Sequence, residues 1–492
     1  MSEQGRPGFV VQSDSAWLPC HESDSLTRRK RVTNQPLSDL ARERHRTTGG
    51  AVGVGESSDA AEPMRAEADT LHESTAAAFP EPTDDPAWLL CCEGFDALRE
   101  HEVETWLTVA NGRVGSRGAL EEGSPHSAPM TLVAGAYGDA KGDPLIREPL
   151  PAPEWHSVAL RVDGSRLDIE SGEIVEHRRI LDMFQGVVLR EWLHRDRAGR
   201  LVRVRTVRFA SLDDRAIVAL RAEARMAEAE AAELRWEDSP GYIAPPDGAT
   251  LEIDALRLED GGLLTHTWGR NGGSHAVALA TYATPGSRIA RQQFQVGIGG
   301  HLADGEAASV DRLGAVAISV SHDSCGTPAK TALERARALG FDELLRRHRA
   351  AWAASWRQCD LRIDGDPEAQ RAARFSVYHM VGSADPETSS VSVGARGLSG
   401  MSYLMHVFWD TEIFVVPFFI YSFPETARTL LTYRYTNLDG ARAKARHLGF
   451  AGTLFPWESA DGGAETTPEF VTGPDGKTGR TPFTDPLATL VP

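Results

Sequence analysis

The sequence predicts a multidomain protein in which an antiparallel β-sandwich is followed by linker helices and then by paired helices. Two changes of pattern along the 492 residues predict this order. From about residue 86 to 325, short apolar stretches alternate with polar residues and are separated by turns that contain glycine, which is typical of antiparallel strands. After about residue 328, apolar residues recur every three or four positions, which indicates helices.

Residues 1–80 precede the strands and differ in composition from the rest of the chain. They are rich in Ser, Glu, Arg, Thr and Gly, and no apolar period is sustained over them. Because such a segment cannot bury enough apolar surface to offset its chain entropy, the sequence predicts a disordered extension over residues 1–80. The basic run "RRKR" at 28–31 is interpreted as part of a solvated tail rather than as an interaction patch, and Met64 is an alternative start.

Two hairpins are predicted within the β region. The segment "HSVALRVDGSRLDI" alternates Val158, Leu160 and Val162 towards one side and then turns at residues 163–164, where Asp-Gly favours a tight hairpin. The segment "RDRAGRLVRVRTVRF" repeats the pattern, with a turn at residues 198–199. Many short strands at regular spacing predict a large antiparallel sandwich over residues 86–325.

Three helical segments are predicted in the second half of the chain. The first, in the linker region 328–363, carries Trp352 and Trp356 on one face, which indicates packing rather than ligand binding. The second starts near Pro367, and the third runs from Pro424 to Gly449, because proline favours a first helical turn and glycine often follows a last one.

Charge and cysteine content exclude several classes of function. A net charge of −18 argues against nucleic acid or an anionic membrane as a partner, because both attract basic surfaces. Five scattered cysteines do not predict a disulfide framework or a zinc site, and they suit a reducing cytoplasm. No segment approaches the ~20 apolar residues of a membrane helix. The sequence therefore predicts a cytoplasmic protein with no membrane partner and no metal.

The segment "HVFWDTE" at residues 406–412 places charged groups directly before the apolar run "IFVVPFFIYS". A buried carboxylate is costly unless it is hydrogen-bonded or paired. Either this stretch lies at the mouth of a pocket, or its carboxylates are solvated and only its aromatic rings are buried. Trp409 in the core with Asp410 as a helix cap is the second interpretation, in which His406 is a core histidine.

Five segments together resemble glycoside hydrolase family 65, which contains maltose, kojibiose and trehalose phosphorylases and related hydrolases. In chain order, the segments are "TVANGRVGSRGALEEGSPH", "LDMFQGVVLREW" with "VRFASL", "WRQCDLRIDGDPEAQRAARFSVYHM", "SVGARGLSGMSYLMHVFWDTEIFVVPFF" and "YRYTNLDGARAKARHLGFAGTLFPWESADGGAETTP". Each segment alone is a weak signal, but all five occur in the order of the family. The resemblance implies an (α/α)6 barrel, incomplete here, over residues 364–492.

The resemblance also implies a sugar-binding site. A sugar presents hydroxyl groups, which carboxylates bind, and apolar C–H faces, which aromatic rings cover. By resemblance, Trp409 and Asp410 hold the non-reducing glucose. The binding role extends to a second group, made up of Arg396, His406, Trp457 and Glu458. The Glu121-Glu122 pair is expected in a loop with no catalytic role.

The reaction implied by the resemblance is inverting phosphorolysis of an α-linked glucose disaccharide to β-glucose 1-phosphate and glucose. A carboxylic acid protonates the glycosidic oxygen while phosphate attacks from the opposite face. In the family this acid is a Glu in a Gly-Pro-Asp-Glu-Tyr type segment, whereas "GPDG" at 473–476 has Gly476 at that place. The general acid is therefore expected beyond Pro492, no catalytic residue is assigned, and a truncated chain with little activity is expected.

Inorganic phosphate is the implied co-substrate, with no metal or organic cofactor, and a homodimer is the implied assembly. A trehalase-type hydrolase of the same family, in which water replaces phosphate, is one alternative function. A non-catalytic fragment that binds glucan or assembles with a second polypeptide is another alternative. Met405 stands where the family usually has a glycine, directly before His406.

Overall fold

Among the described residues, antiparallel strands predominate from residue 89 to 319, and helices build much of the part that follows. The computed structural model describes residues 79–140, 143–228, 232–238, 251–257, 262–269, 276–284, 288–289, 296–301, 307–319, 322–468, 470–472 and 476–481. Apart from residues 79–80, the predicted N-terminal extension lies outside the described residues, and so does the basic run at 28–31. Residues 473–475 of the "GPDG" segment also lie outside them.

The nineteen described strands of the β-rich half form two large antiparallel sheets, of nine and five strands, and two small sheets, β2-β3-β4 and β5-β6. In chain order they are β1 (Leu89–Glu93), β2 (Val109–Ala110), β3 (Val114–Ser116), β4 (Thr131–Val133), β5 (Tyr137–Ala140), β6 (Asp143–Pro149), β7 (Val158–Val162), β8 (Ser165–Leu167), β9 (Glu173–Asp182), β10 (Val187–Arg195), β11 (Leu201–Ala210), β12 (Ile217–Met226), β13 (Glu233–Asp238), β14 (Leu251–Arg257), β15 (Leu263–Gly269), β16 (Ala276–Thr284), β17 (Arg288–Ile289), β18 (Val296–His301) and β19 (Ala308–Ser319). One sheet has the order β1-β9-β10-β11-β12-β19-β16-β15-β14, and the other has the order β17-β18-β13-β7-β8. The predicted antiparallel β architecture is confirmed.

Both predicted hairpin turns are present. Val162 pairs with Ser165 across Asp163 and Gly164, which have φ angles of 47° and 78°. A two-residue turn with positive φ at both central positions matches the twist of the strands it joins, and Asp-Gly tolerates these angles. The second predicted turn, at residues 198–199, joins β10 to β11.

Six helices follow or interrupt the strands within the described residues. They are α1 (Glu100–Trp106), α2 (His322–Cys359), α3 (Pro367–Ser383), α4 (Val416–Ser422), α5 (Pro424–Thr436) and α6 (Leu438–His447). The short strands β20 (Val407–Phe408), β21 (Glu458–Ser459), β22 (Phe470–Thr472) and β23 (Thr478–Arg480) complete the described part of the second half. Among all the residues that the structure describes, no helix combines the length and the apolar character needed to cross a membrane.

The prediction of a single helix from Pro424 to Gly449 is wrong. The helix ends at Thr436, and α6 starts after Asn437, whose backbone leaves the helical conformation at φ −98° and ψ 18°. At this break a Cβ atom on Gly463 would lie 2.2 Å from the Cβ of Asn437, so the backbone of Gly463 lies directly against the Asn437 side chain. This contact joins residues that are distant in the chain, so the helical period alone does not report it.

The main hydrophobic core lies between the nine-stranded sheet and α2. Both elements contribute buried apolar side chains, among them Val187, Leu189, Val207, Phe209, Ile217, Leu313, Leu333, Phe341, Leu344 and Leu345. Near the end of α2, Trp352 and Trp356 are both buried. The Trp352 ring stacks on Tyr378 of α3 at 4.8 Å. These contacts agree with the predicted packing role of the two indoles.

A group of charged side chains is buried in the β-rich half around Arg190. Its guanidinium donates to Glu121 Oε2 at 2.9 Å and to both carboxylate oxygens of Glu122, at 2.5 and 2.8 Å. Glu121 and Glu122 lie in a turn, as predicted, yet both side chains are buried. Burial alone would raise the pKa of Glu121, but Arg208 and Arg190 outweigh burial and lower this pKa to about 2. Both carboxylates are therefore held by paired charges inside the protein.

Candidate functional site

A short ladder between β20 and β21 brings together the two segments singled out in the sequence. Val407 pairs with Ser459, and Phe408 pairs with Glu458. The residues that flank the ladder therefore become neighbours although about 50 positions separate them, and the rings of Trp409 and Trp457 lie 5.6 Å apart at an angle of 64°.

The two indoles are only partly buried. Trp409 donates a hydrogen bond from its ring nitrogen to the carbonyl of Pro456 at 2.7 Å, so the ring position is fixed. Trp409 and Trp457 keep part of their surface accessible, and Asp410 is exposed. We refer to Trp409, Asp410, Trp457 and Glu458 as the tryptophan site.

Asp410 precedes a turn of π-helix, Thr411–Val415, but its carboxylate makes no capping hydrogen bond there. Asp410 therefore holds the N-cap position without capping the turn through its side chain. Glu412, the second carboxylate of "HVFWDTE", receives two hydrogen bonds of 2.9 Å from Arg434. This pairing offsets the cost of placing Glu412 beside an apolar segment, and it leaves Asp410 as the solvent-facing carboxylate of the motif.

His406 is fully buried and both of its ring nitrogens have partners. Nε2 lies 2.7 Å from the carbonyl oxygen of Arg147, and Nδ1 lies 2.7 Å from Glu458 Oε1. A carbonyl oxygen only accepts, so Nε2 donates to Arg147, while Nδ1 and Glu458 Oε1 share the second hydrogen bond. His406 therefore fixes the orientation of Glu458, whose side chain is 13% exposed.

A second carboxylate holds the backbone of the segment that carries Trp457. Glu465 accepts hydrogen bonds from the backbone N–H groups of Trp457 at 3.0 Å and Glu458 at 3.2 Å. Its Oε2 lies 2.6 Å from Nζ of Lys444, a buried residue of α6. Sequence reasoning assigned no role to Glu465 or Lys444, although both lie in a segment that carries the family resemblance.

The hairpin formed by β5 and β6 supplies the other support of the site. The Arg147 guanidinium donates two hydrogen bonds to the carboxylate of Asp461, at 3.0 and 2.7 Å. The hydroxyl of Tyr137 donates to the carbonyl of Met405 at 2.7 Å, and burial raises the pKa of Tyr137 well above its usual value, which keeps this donor protonated. No sequence signal pointed to Arg147 or Tyr137.

Arg396 lies on an exposed turn next to the site. The neighbouring Ala395 donates its backbone N–H to the carbonyl of His406 at 3.2 Å. Trp409 and Trp457 are thus in ring contact, and His406 holds Glu458 from inside, while Arg396 and Asp410 are exposed. Among the described residues, no group of His, Cys, Asp and Glu side chains has the arrangement of a metal site.

Replacing Gly440 with alanine is expected to disturb the support of this site. A Cβ atom on Gly440 would lie 2.1 Å from the carbonyl oxygen of Gly463, so α6 and the segment after Glu458 would have to separate. We expect a destabilisation of about 1–3 kcal/mol, as for other overpacked contacts, measured by thermal unfolding. Gly462→Ala is the matched control, since nothing lies within 4 Å of its Cβ position. Equal melting temperatures for the two variants would contradict this expectation.

Comparisons with known proteins agree with this architecture. Residues 90–355 match the N-terminal domain of glycosyl hydrolase family 65, and residues 374–484 match the central catalytic domain of that family. A kojibiose phosphorylase from Caldanaerobacter subterraneus subsp. tengcongensis is 32% identical over 416 residues, which cover 78% of this chain and 53% of the relative. A nigerose phosphorylase from Lachnoclostridium phytofermentans is 28% identical over 395 residues, which cover 74% of this chain and 51% of the relative.

A solved structure from the human microbiome, provisionally named a kojibiose phosphorylase, superposes with a TM-score of 0.70 at 18% identity. The superposition covers 77% of this chain and 52% of that one, and it supports the fold. The chain spans about half the length of the curated relatives it matches.

Proposed function

Since the chain belongs to glycosyl hydrolase family 65, we propose that it binds an α-linked glucose disaccharide and that its reaction type is phosphorolysis to β-glucose 1-phosphate and glucose. Little activity of this chain by itself stays the expectation. The observation that carries the proposal is the tryptophan site, in which two partly exposed indoles stand beside two carboxylates. The curated relatives add support, because kojibiose and nigerose are both α-linked glucose disaccharides and a phosphorylase uses inorganic phosphate as co-substrate.

Each residue of the tryptophan site has a separate role in this proposal. The Trp409 ring covers the apolar face of the non-reducing glucose, and Asp410 accepts hydrogen bonds from its hydroxyl groups. Trp457 and Glu458 provide the same combination of an aromatic ring and a carboxylate from the segment of β21. Arg396, on the exposed turn beside His406, is proposed to donate hydrogen bonds to the same sugar.

His406 takes an orienting role in the proposal instead of a contact with the sugar. Its ring is buried and its two nitrogens are occupied by Arg147 and Glu458. The hydrogen bond between Nδ1 and Glu458 Oε1 fixes one oxygen of Glu458 and leaves the other oxygen to accept a hydroxyl group. His406 thereby acts on the substrate through Glu458.

The proposed reaction conserves atoms and charge without a metal or an organic cofactor. The bond between the anomeric carbon and the glycosidic oxygen breaks, and an oxygen of phosphate forms the new bond from the opposite face. The glycosidic oxygen of the leaving glucose takes up one proton, and hydrogen phosphate gives up one proton when its oxygen forms the new bond, so the protons balance. Phosphate is already anionic, so it needs to be positioned more than it needs a general base. The roles proposed for the tryptophan site are binding and orientation of the sugar.

We also propose domain limits that fit the two family matches. Residues 86–325 form the sandwich, residues 328–363 join it to the helical region, and residues 364–492 belong to an (α/α)6 barrel. The contact between the two large sheets, a 2.9 Å hydrogen bond from the Trp236 ring nitrogen to the Ala308 carbonyl, supports the sandwich. The homodimer and the cytoplasmic location stay predictions.

Titration of the purified chain tests the binding step of the proposal. Saturable quenching of tryptophan fluorescence is expected with kojibiose or nigerose, and maltose and trehalose extend the series. Cellobiose, a β-linked isomer, is the control ligand and should give no saturable change. No saturable change with any α-linked disaccharide would contradict the proposal.

Incubation of the chain with each disaccharide, with and without phosphate, tests the reaction. Release of glucose 1-phosphate only when phosphate is present would support the phosphorylase. Release of glucose without phosphate would instead favour the hydrolase. Saturable binding without any turnover would favour the non-catalytic binding function.

A further inference from the structure

We propose that Tyr403 is a further sugar-contacting residue, which covers the reducing-end glucose unit of the disaccharide. The inference rests on the proposed function, because it extends the tryptophan site by one aromatic ring. Tyr403 lies six residues before Trp409 in the chain, and no role was assigned to it from the sequence.

Tyr403 is the outermost ring of a continuous aromatic row. Its ring packs edge-on against Phe408 at 5.6 Å, and Phe408 in turn lies 6.1 Å from Trp457. Trp457 contacts Trp409 at 5.6 Å. The row therefore connects Tyr403 to both indoles of the tryptophan site, through a ring that is itself buried.

The Tyr403 side chain is 54% exposed, although a buried aromatic neighbour holds one edge of its ring. A tyrosine that only fills the core would be buried by the surrounding protein. A tyrosine that is simply exposed to solvent would have no buried aromatic neighbour. A ring that is fixed on one side and open on the other is the form in which aromatic side chains meet ligands with apolar faces.

The backbone that carries Tyr403 is strained. Tyr403, Leu404 and Met405 have φ angles of 59°, 50° and 56°, the left-handed region that residues other than glycine rarely adopt. Three such residues in succession cost free energy, and they persist only where the surroundings fix them. Residues in this state cluster at binding and catalytic sites, because the strain places a group that relaxed backbone would not place.

Several contacts hold the strained run in place. The Leu404 N–H donates to the carbonyl of Met401 at 2.9 Å, and the His406 N–H donates to the carbonyl of Tyr403 at 2.9 Å. The Met405 carbonyl accepts from Tyr137, and the Met405 side chain is buried with Leu132 and Leu398. These anchors fix both ends of the run, and the ring of Tyr403 is the part of it that stays accessible.

The strained run has a second consequence, which is the placement of His406 directly after it. If that were its whole purpose, the Tyr403 ring itself would be dispensable for sugar binding. If the run only places His406, removal of the Tyr403 ring should leave the affinity for every sugar unchanged. If the ring contacts the sugar, its removal should weaken disaccharide binding. A ring over the reducing-end unit acts on the disaccharide and leaves binding of glucose alone unchanged.

The test compares Tyr403→Ala and Tyr403→Phe with Tyr421→Ala, a control at a tyrosine that is 89% exposed on α4. Binding of kojibiose, nigerose and glucose is measured by calorimetric titration of the full chain. For Tyr403→Ala we expect roughly five- to tenfold weaker binding of the disaccharide and unchanged binding of glucose. Tyr403→Phe and the control should match the parent protein. A disaccharide affinity of Tyr403→Ala within twofold of the parent would overturn the inference.

A second variant, Leu404→Gly, keeps the tyrosine and relaxes the backbone, since glycine adopts positive φ without strain. Because the positive φ is then kept at no cost, the variant is expected to stay folded, by circular dichroism, and to bind the disaccharide and glucose within twofold of the parent. Weaker disaccharide binding in this variant would show that the Leu404 side chain, and not the placement of the Tyr403 ring, contributes to binding, and would count against the inference. If the parent chain binds glucose but no variant alters disaccharide binding, only the inference fails. If the parent chain binds neither sugar, the proposed function fails as well.

Discussion

Replacement of Trp409 with alanine is expected to weaken binding of an α-linked glucose disaccharide roughly thirtyfold, or about 2 kcal/mol. The indole is the ring proposed to cover the non-reducing glucose, and its position is fixed by the 2.7 Å hydrogen bond to Pro456. Truncation removes the contact with the sugar and also the edge-on contact with Trp457. Calorimetric titration of the parent and the variant with kojibiose and nigerose measures the change.

Two further variants separate loss of binding from loss of structure. Asp410→Asn removes the charge of an exposed side chain that makes no capping hydrogen bond, so the fold should not change, but disaccharide binding should still weaken. Phe414→Ala is the matched control, because this aromatic side chain lies in the same segment and is 70% exposed. Equal affinities of Trp409→Ala, Asp410→Asn and the parent chain would exclude the proposed sugar site.

Replacement of Arg190 with methionine is expected to lower the free energy of unfolding by about 3–5 kcal/mol at pH 7. Arg190 binds Glu121 and Glu122 in a region where the three side chains are at most 4% exposed. Without the guanidinium, two carboxylates remain buried with fewer partners, and the low polarity of their surroundings makes this costly. Unfolding in urea, followed by tryptophan fluorescence, measures the change.

The control for this prediction lies on the same strand. Arg195 pairs with Glu173 at 3.1 Å, but 40% and 67% of these two side chains are exposed. Because exposed ion pairs contribute little, Arg195→Met should change the free energy of unfolding by at most about 1 kcal/mol. A loss of similar size in Arg190→Met and Arg195→Met would contradict the importance of the buried group.

The difference in the free energy of unfolding between Arg190→Met and the parent should become smaller at acidic pH. Arg208 and Arg190 together lower the pKa of Glu121 from 4.5 to about 2 in spite of its burial. A carboxylate whose pKa is lowered on folding stabilises the protein above its unfolded pKa, and this contribution is lost as the pH falls towards the folded pKa. The parent should therefore lose stability between about pH 5 and pH 2, and the variant should lose less over the same range.

Local sequence patterns predicted much of the β-rich half. The Asp163-Gly164 turn and the alternation of Val158, Leu160 and Val162 depend on residues that are close in the chain, and local conformation follows from them. The same patterns failed where distant contacts decide the structure. Asn437 separates α5 from α6 at the position where Gly463 packs on it, and the helical period carries no information about that neighbour.

The candidate site was predicted in part for the same reason. The adjacent pairs Trp409-Asp410 and Trp457-Glu458 can be recognised without a fold, because each pair is contiguous. The parts that Arg147 and Glu465 play at the site could not be predicted, since the Arg147 carbonyl that His406 contacts and the N–H groups that Glu465 binds are backbone groups that any residue provides. The sequence does not indicate which backbone carbonyl oxygen or N–H group a side chain will bind, because almost every residue carries both.

By itself, the sequence determined the antiparallel strands and the residue types that can bind a sugar, because both follow from side chains that are neighbours in the chain. The tertiary structure alone decided that His406 is buried against Glu458 and that Tyr403 stays exposed at the end of an aromatic row. The physical reason is that an amphipathic or aromatic pattern reports which groups favour burial or contact. Which surface covers them depends on the path of the whole chain, including residues of the β5–β6 hairpin about 260 positions away.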